Sequence, residues 1–272
     1  MDIVLIHGMG RTPASMLILK RRLAQLGHRT HLFGYAAWAE NLDSVSARLA
    51  RRIAQVAGTQ PYAVIGHSLG GQILGLADNI GSLDAAVLIC SQSGHWRHWP
   101  AGRRRLRMLA LWWLLIPGLT TLTGHFPGAW VGTADLPGGV ARSWACWGRS
   151  RHYVCDSRGS PLRPHNVDVA FPVRWMSFTD DPIAPFDAVE ALRPYYPNAD
   201  VERLHLAPGD LGAAAIGHFG FFRKSMPRQA WDEIADWLDN RLRQTGRISS
   251  SKETSACPHR TSSPKSKMAS AG

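Results

Sequence analysis

The chain has 272 residues, 45% of them hydrophobic, which is ordinary for a folded globular protein and long enough for one α/β domain of roughly 200–250 residues with an insertion. Its four cysteines (Cys90, Cys146, Cys155, Cys257) show no C-x-x-C spacing and no disulfide-scaffold density, so a reducing, cytoplasmic setting is expected and no metal site is indicated. The formal charge of +11 is unevenly spread. Residues 95–165 hold ten arginines against Asp135 and Asp156, residues 245–272 hold five basic residues against Glu253, and the remainder is close to neutral.

Met1 to Ile6 lacks a basic region and a long apolar stretch, so no signal peptide is expected, and Ile3 to Ile6 reads as the first core strand. It runs into His7-Gly8-Met9-Gly10. An H-G-x-G loop after a strand suits one backbone donor of an oxyanion hole, and Met9 is the candidate. A plain glycine turn with a structural histidine is the competing reading. Residues 13–27 read as a helix with Met16, Leu19, Leu23 and Leu26 on one face, and His31 to Phe33 as strand two. A second helix covers about 42–57, with Leu42, Val45, Leu49, Ile53 and Val56 at helical spacing.

The apolar run Tyr62 to Ile65 leads into Gly66-His67-Ser68-Leu69-Gly70-Gly71. Gln72 to Ala77 can continue as a helix, expected to end near Gly81. Strand, sharp turn and helix with serine at the apex is the G-x-S-x-G nucleophile elbow. A serine on so tight a turn sits in a strained backbone, and glycines two residues to either side remove side chains that would collide with neighbouring elements. Leu69 N–H is the second candidate oxyanion donor. Ala85 to Ile89 reads as a central parallel strand buried on both faces, giving the order βαβαβαβ and a parallel sheet.

From His95 to about Asp168 the strand–helix alternation stops. The segment carries seven of the eleven tryptophans, Trp96, Trp99, Trp112, Trp113, Trp130, Trp144 and Trp147, and most of the arginine. Its apolar run Met108 to Ile116, broken by Pro117-Gly118, is shorter than the roughly 20 residues a membrane crossing needs. The insertion reads as a cap whose aromatics line an apolar cleft. The alternatives are that they build the cap's own core, or that a basic, aromatic surface rests on anionic lipid.

The sheet resumes at Phe171 to Phe178 and ends in Thr179-Asp180-Asp181-Pro182-Ile183-Ala184-Pro185. Asp181, just past a strand end, is the candidate triad acid, with Asp180 as fallback and an ordinary Asx turn as the bland reading. A helix over 185–195 and a strand near Ala199–Leu206 follow. Gly217-His218-Phe219-Gly220 then places a glycine-framed histidine after the last strand. The final helix, about 228–243, sets Trp231, Ile234, Ala235, Leu238 and Leu242 at helical spacing, and the Ser-, Lys-, Thr- and Pro-rich tail beyond residue 245 is expected to be disordered. The organisation is thus 1–94 core, 95–168 cap, 169–244 core and 245–272 basic tail.

Serine, acid and histidine in the order Ser68, Asp181, His218 fit a triad in which histidine takes the serine proton and the acid orients the imidazole. His7, His67, His95, His98, His125, His152 and His165 are weaker candidates, since none follows the last strand. At these residues the chain resembles α/β-hydrolases. From about residue 66 to 240 it is similar to bacterial predicted hydrolases related to the serine aminopeptidase and lysophospholipase branch. The likeness is carried by Gly66 to Gln72, His125-Phe126-Pro127-Gly128, Asp135-Leu136-Pro137, the Trp144 to Trp147 region, Ser177 to Asp181 and Gly217 to Phe222. It implies the α/β-hydrolase fold, a mostly parallel sheet flanked by helices, with the Trp- and Arg-rich cap inserted after the strand that follows the nucleophile helix.

The expected activity is cleavage of a carboxylic ester with an apolar acyl part through an acyl-enzyme. Alternatives on the same fold are amide or peptide cleavage or a cofactor-free peroxidase, and, from another class, a catalytically silent lipid- or protein-binding module. A small-molecule ester is the expected partner, with no cofactor, no metal and no nucleic acid. Peripheral membrane contact through the basic cap is a further expectation.

Overall fold

The computed structural model describes residues 1–35, 42–58, 61–131, 135–156, 158–162 and 166–244. The tail 245–272, with Cys257, lies outside the described residues, as does His165. The main sheet is made of β1 (Asp2–Ile6), β2 (Arg29–Phe33), β3 (Tyr62–His67), β4 (Ala85–Ile89), β7 (Pro172–Phe178) and β8 (Asp200–Leu206). Its spatial order is β2-β1-β3-β4-β7-β8, every neighbouring pair parallel. The unbroken apolar runs became the inner strands: β1, β3 and β4 are buried along their whole length. The edge strands β2 and β8 are mostly exposed or half-buried instead, with Phe33 the buried end of β2.

Strand order decides where a site can form. The chain leaves β1 for β2 on one side and then returns to place β3 on the other. A crevice opens at the carboxyl ends where such an order reverses, and ligands of open α/β sheets bind there. Ile6 pairs with Gly66, so the loop following β1 and the turn following β3 emerge side by side. They carry Met9 and Ser68.

The helices are α1 (Leu17–Gln25), α2 (Leu42–Val56), α3 (Leu69–Gln72), α7 (Phe186–Glu190) and α8 (Gln229–Gln244) in the core. Met16, Leu19 and Leu23 are buried as their spacing required, and so are Val45, Leu49 and Ile53. Helices α1 and α8 pack together, tied by Arg22 donating to both carboxylate oxygens of Asp232 at 2.6 and 2.7 Å.

Two expected helices are shorter. The elbow helix stops at Gln72 and gives way to 3-10 turns at Leu74–Leu76 and Ile80–Ser82 rather than running to Gly81. Three glycines within six residues favour helix poorly, and Gly75 lies so close to Asn166 that a side chain there would overlap its amide. The 185–195 helix likewise divides into α7 and a 3-10 turn at Arg193–Tyr195, whose second residue is Pro194.

Between β4 and β7 lie α4 (Arg103–Ala110), α5 (Ile116–Thr123), the two-residue strands β5 (His125–Phe126) and β6 (Leu136–Pro137), and α6 (Gly138–Arg149). Pro117 does not break the apolar run. Residues 111–115 form a π-helical turn joining α4 to α5, so that one helix spans Arg103–Thr123. Ile116 N–H donates to Leu111 O, five residues back. That shift admits a proline two residues into α5, where its ring would otherwise meet the preceding turn. The shift also leaves Trp112 O without its usual helical donor, and Arg149 of α6 supplies one at 3.1 Å. By length and composition alone these 21 residues suffice to cross a membrane. Their inner side, with Leu111, Trp112, Ile116 and Thr120, is nevertheless buried in the protein.

The tryptophans of this segment fall into two settings. Trp99, Trp112, Trp130 and Trp144 line a cavity described below, whereas Trp147 packs edge-on against Tyr153 and donates to Cys155 O at 2.8 Å. Tyr153 then anchors the insertion to the core, its hydroxyl donating to Gln72 Oε1 at 3.0 Å. Cys90, Cys146 and Cys155 are free thiols.

The turn at Ser68 makes a prediction about stability. A β-carbon at Gly70 would lie 2.5 Å from Ile6 O, a backbone atom of β1 that cannot swing aside. Gly70→Ala should therefore destabilise the fold by about 1–3 kcal/mol, seen as a lower thermal midpoint. A midpoint equal to that of the parent would contradict this packing.

Candidate active site

Ser68 sits at the apex of the β3–α3 turn with φ 52° and ψ −118°, a backbone conformation rare for a residue with a side chain. Its own N–H is held by Ile89 O at 2.9 Å. The two flanking glycines remove different clashes. A side chain at Gly66 would strike Gly71 of the helix, and one at Gly70 would strike the end of β1. The chain can thus turn back hard enough to leave the serine at the sheet's carboxyl edge.

The loop after β8 brings His218 to this point. His218 Nε2 is 3.1 Å from Ser68 Oγ, and its Nδ1 is 2.8 Å from Asp181 Oδ2. A carboxylate can only accept, so Nδ1 carries the proton and Nε2 is left to accept from the serine hydroxyl. Asp181 is itself fixed: its other oxygen receives the N–H groups of Ile183 at 2.8 Å and Ala184 at 2.9 Å. Burial works to raise its pKa. The His218 hydrogen bond, the His218 charge and the two amides outweigh burial and hold the carboxyl below its ordinary value.

Asp180, the fallback acid, does different work. Its carboxylate accepts Ile216 N–H at 2.8 Å and so braces the loop that carries His218. Of the two neighbouring acids, one meets the imidazole and the other steadies its backbone.

Met9 and Leu69 lie beside Ser68 on the same cavity wall. Neither backbone N–H donates to another protein group among the described residues, so both are available to an oxygen bound there. His7, in the loop that carries Met9, is structural. Its Nδ1 donates to Gly8 O at 2.9 Å, its ring stacks on Tyr35 at 4.3 Å, and Tyr35 donates its hydroxyl to His7 O at 2.8 Å.

Two neighbours make contacts that the sequence did not announce. His67 donates from Nε2 to His218 O at 2.9 Å, and its ring lies 5.0 Å from the His218 ring. Burial first, and then repulsion from His218, lower its pKa to about 3, so it stays neutral and serves as a strut. Cys90, at the end of β4 with φ 52°, is fully buried beside Asp181 and His218. Burial, then the Asp181 charge, push its thiol pKa up, so it is a neutral thiol rather than a thiolate. These three side chains are the one grouping of metal-capable donors among the described residues, but Asp181 and His218 already bond each other. A glycine-flanked motif and a lone cysteine carry no signal of such contacts in the sequence.

Above Ser68 lies a cavity of about 320 Å³. The insertion supplies its large apolar side chains through Trp99, Trp112, Trp130, Trp144, Met108 and Leu111. Its floor is polar, with Ser68 and His218 exposed to it from the core. The remaining candidate histidines do not line the cavity: His95 and His98 bond Gly148 O and Ser93 Oγ, His125 lies on the exposed hairpin strand β5, and His152 is exposed.

A family model described as "Alpha/beta hydrolase family" matches residues 3–233. No curated protein matches the chain by sequence. Among solved structures, a soluble variant of monoglyceride lipase from Saccharomyces cerevisiae, in complex with a substrate analog, is similar with a TM-score of 0.62. Its identity is 14%, over 88% of this chain and 86% of that one. An esterase from Exiguobacterium antarcticum gives 0.56 at 14% identity, over 88% and 91% of the two chains. Alpha/beta hydrolase domain-containing protein 10 from mouse gives 0.54 at 17% identity, over 88% and 90%. At such identities these likenesses establish the fold.

The depressed pKa of His67 predicts acid sensitivity. Unfolded, its imidazole takes up a proton near 6.5; folded, it resists until about 3. Stability is therefore complete above 6.5 and falls as the pH drops toward 3, by about 1.4 kcal/mol per pH unit for one such group. In urea titrations at pH 7 and 4.5, His67→Gln should remove about 2–3 kcal/mol of the parent's acid loss. An identical loss in both proteins would contradict a buried, neutral His67.

Proposed function

Because the chain belongs to the alpha/beta hydrolase family, we propose that it is a serine hydrolase that cleaves a carboxylic ester with an apolar acyl part. The observation carrying this reading is the line Ser68 Oγ, His218 Nε2, His218 Nδ1 and Asp181 Oδ2, linked at 3.1 and 2.8 Å on the floor of an aromatic cavity.

In the proposed mechanism the acyl chain lies among the cavity tryptophans, with the ester carbonyl over Ser68. As Oγ attacks the carbonyl carbon, its proton passes to His218 Nε2. Asp181, anionic and anchored by two amides, stabilises the resulting imidazolium without itself taking the proton. The carbonyl oxygen gains negative charge and is met by the free N–H groups of Met9 and Leu69. Each such donor is typically worth ~2.7–4 kcal/mol at the transition state. His218 then protonates the departing alcohol, leaving Ser68 acylated. Water enters, gives a proton to His218 and attacks the acyl carbon; the proton returns to Ser68 as the acid leaves. His67 and Asp180 touch no reacting atom in this scheme. They position His218.

Short-chain p-nitrophenyl esters test the reading. Ser68→Ala should abolish turnover, and Asp181→Asn should lower kcat by about 10⁴-fold while the fold persists, because the imidazole loses its orienting charge. A parent protein inert toward the ester series but active on aminoacyl amides would shift the reading to amide cleavage. Turnover undiminished in Ser68→Ala would refute the serine mechanism.

A further inference from the structure

The helix spanning Arg103–Thr123 has two apolar sides, and only one has an explanation in the chemistry proposed above. Met108, Leu111 and Trp112 face inward to the cavity. On the outside Leu106 is 64% exposed, Leu114 70%, Leu122 83% and Trp113 45%, with Trp130 of the following segment at 62%. Together they account for five of the eight large hydrophobic side chains most exposed among the described residues, and a sixth, Leu115, adjoins them. Scattered single exposures are normal, whereas a concentration on one element marks a surface meant to be covered.

The charge around that surface says what covers it. Arg103, Arg104 and Arg107 stand exposed at the start of the same helix and form no ion pair among the described residues. Between His95 and Ala134 the sequence contains five arginines and no Asp or Glu. A soluble partner helix would be expected to meet neutralising acids at the rim of its contact. An apolar ridge set in one-signed positive charge instead fits an anionic lipid headgroup layer, with leucine and tryptophan entering the acyl boundary and arginine at the phosphates. The inner side of the helix argues against a crossing orientation, since Trp112 and Ile116 are fully buried in the protein.

We propose that the outer face of helix 103–123, with Trp130, docks the protein peripherally on an anionic lipid bilayer. One helix would then separate the bilayer from the cavity above Ser68. An apolar substrate could pass from lipid to cavity beside Trp130, which both lines the cavity and faces outward. This route rests on the ester-hydrolase reading; the docking does not, and it is measured without turnover.

Sedimentation of the full chain with vesicles tests it. The protein should bind phosphatidylglycerol–phosphatidylcholine vesicles at least tenfold more tightly than phosphatidylcholine alone, and molar salt should release it. The combined variant Leu106→Ser/Leu114→Ser/Leu122→Ser should weaken binding at least tenfold. It keeps every charge in place, including those of residues 245–272, so a loss of binding reports the apolar face and not the basic tail. Arg103→Gln/Arg104→Gln/Arg107→Gln should weaken binding similarly. None of these residues lines the cavity, so hydrolysis of a soluble short-chain ester should be unchanged and reports folding. Should the triple leucine variant misfold, Leu122→Ser alone should still weaken binding measurably. Vesicle binding that ignores the leucines would overturn the proposal. So would light scattering that shows a leucine-dependent dimer without lipid, which would make a second copy the occupant. Retention on membranes through an alkaline carbonate wash would overturn it as well, in favour of a crossing helix.

Discussion

The turn at Ser68 concentrates the constraints of the whole fold into six residues. A side chain is held at φ 52° because strand β3, helix α3 and the end of β1 approach within contact distance of one another there. Conformations of this kind cost of order 1–3 kcal/mol and persist only where surrounding structure enforces them. Here the enforcement comes from the sheet. Ser68 N–H is pinned to β4, and the missing side chains of Gly66 and Gly70 let helix and strand close in on either side. Relaxing that turn would withdraw the hydroxyl from His218 and would also open the crevice between β1 and β3.

Around that point the molecule is built in opposed layers. The core contributes polar groups, each held by a second one: Asp181 by the amides of Ile183 and Ala184, His218 by His67 and by the loop that Asp180 braces. The insertion contributes apolar wall, fastened by the Tyr153–Gln72 hydrogen bond beside the serine. Polar floor and aromatic roof meet in one cavity.

Much of this was legible in the residues. Continuous apolar runs at Ile3, Tyr62 and Ala85 announced inner parallel strands, and the turn glycines around Ser68 announced the elbow. Asp181 and His218 could be singled out because each follows a strand in the order the fold demands. What the sequence did not reveal are contacts between distant positions. His67 and His218 are 151 residues apart, and nothing about a histidine inside a serine motif signals a bond to that backbone. Pro117 misled for a local reason: proline ordinarily ends a helix, and the π turn that admits it at residues 111–115 has no sequence signature. The elbow helix was overestimated because the apolar residues after Gln72 outvoted glycines that tertiary packing against Asn166 made decisive.

The proposed chemistry requires that Ser68 be the one hydroxyl made nucleophilic by its neighbours. Peptide mapping by mass spectrometry after brief exposure of the folded protein to a fluorophosphonate examines this directly. The expected result is a single phosphonylated peptide, carrying the adduct on Ser68, and its absence when the protein is first unfolded in urea. Folded protein that stays unmodified, or an adduct on another residue, would contradict it.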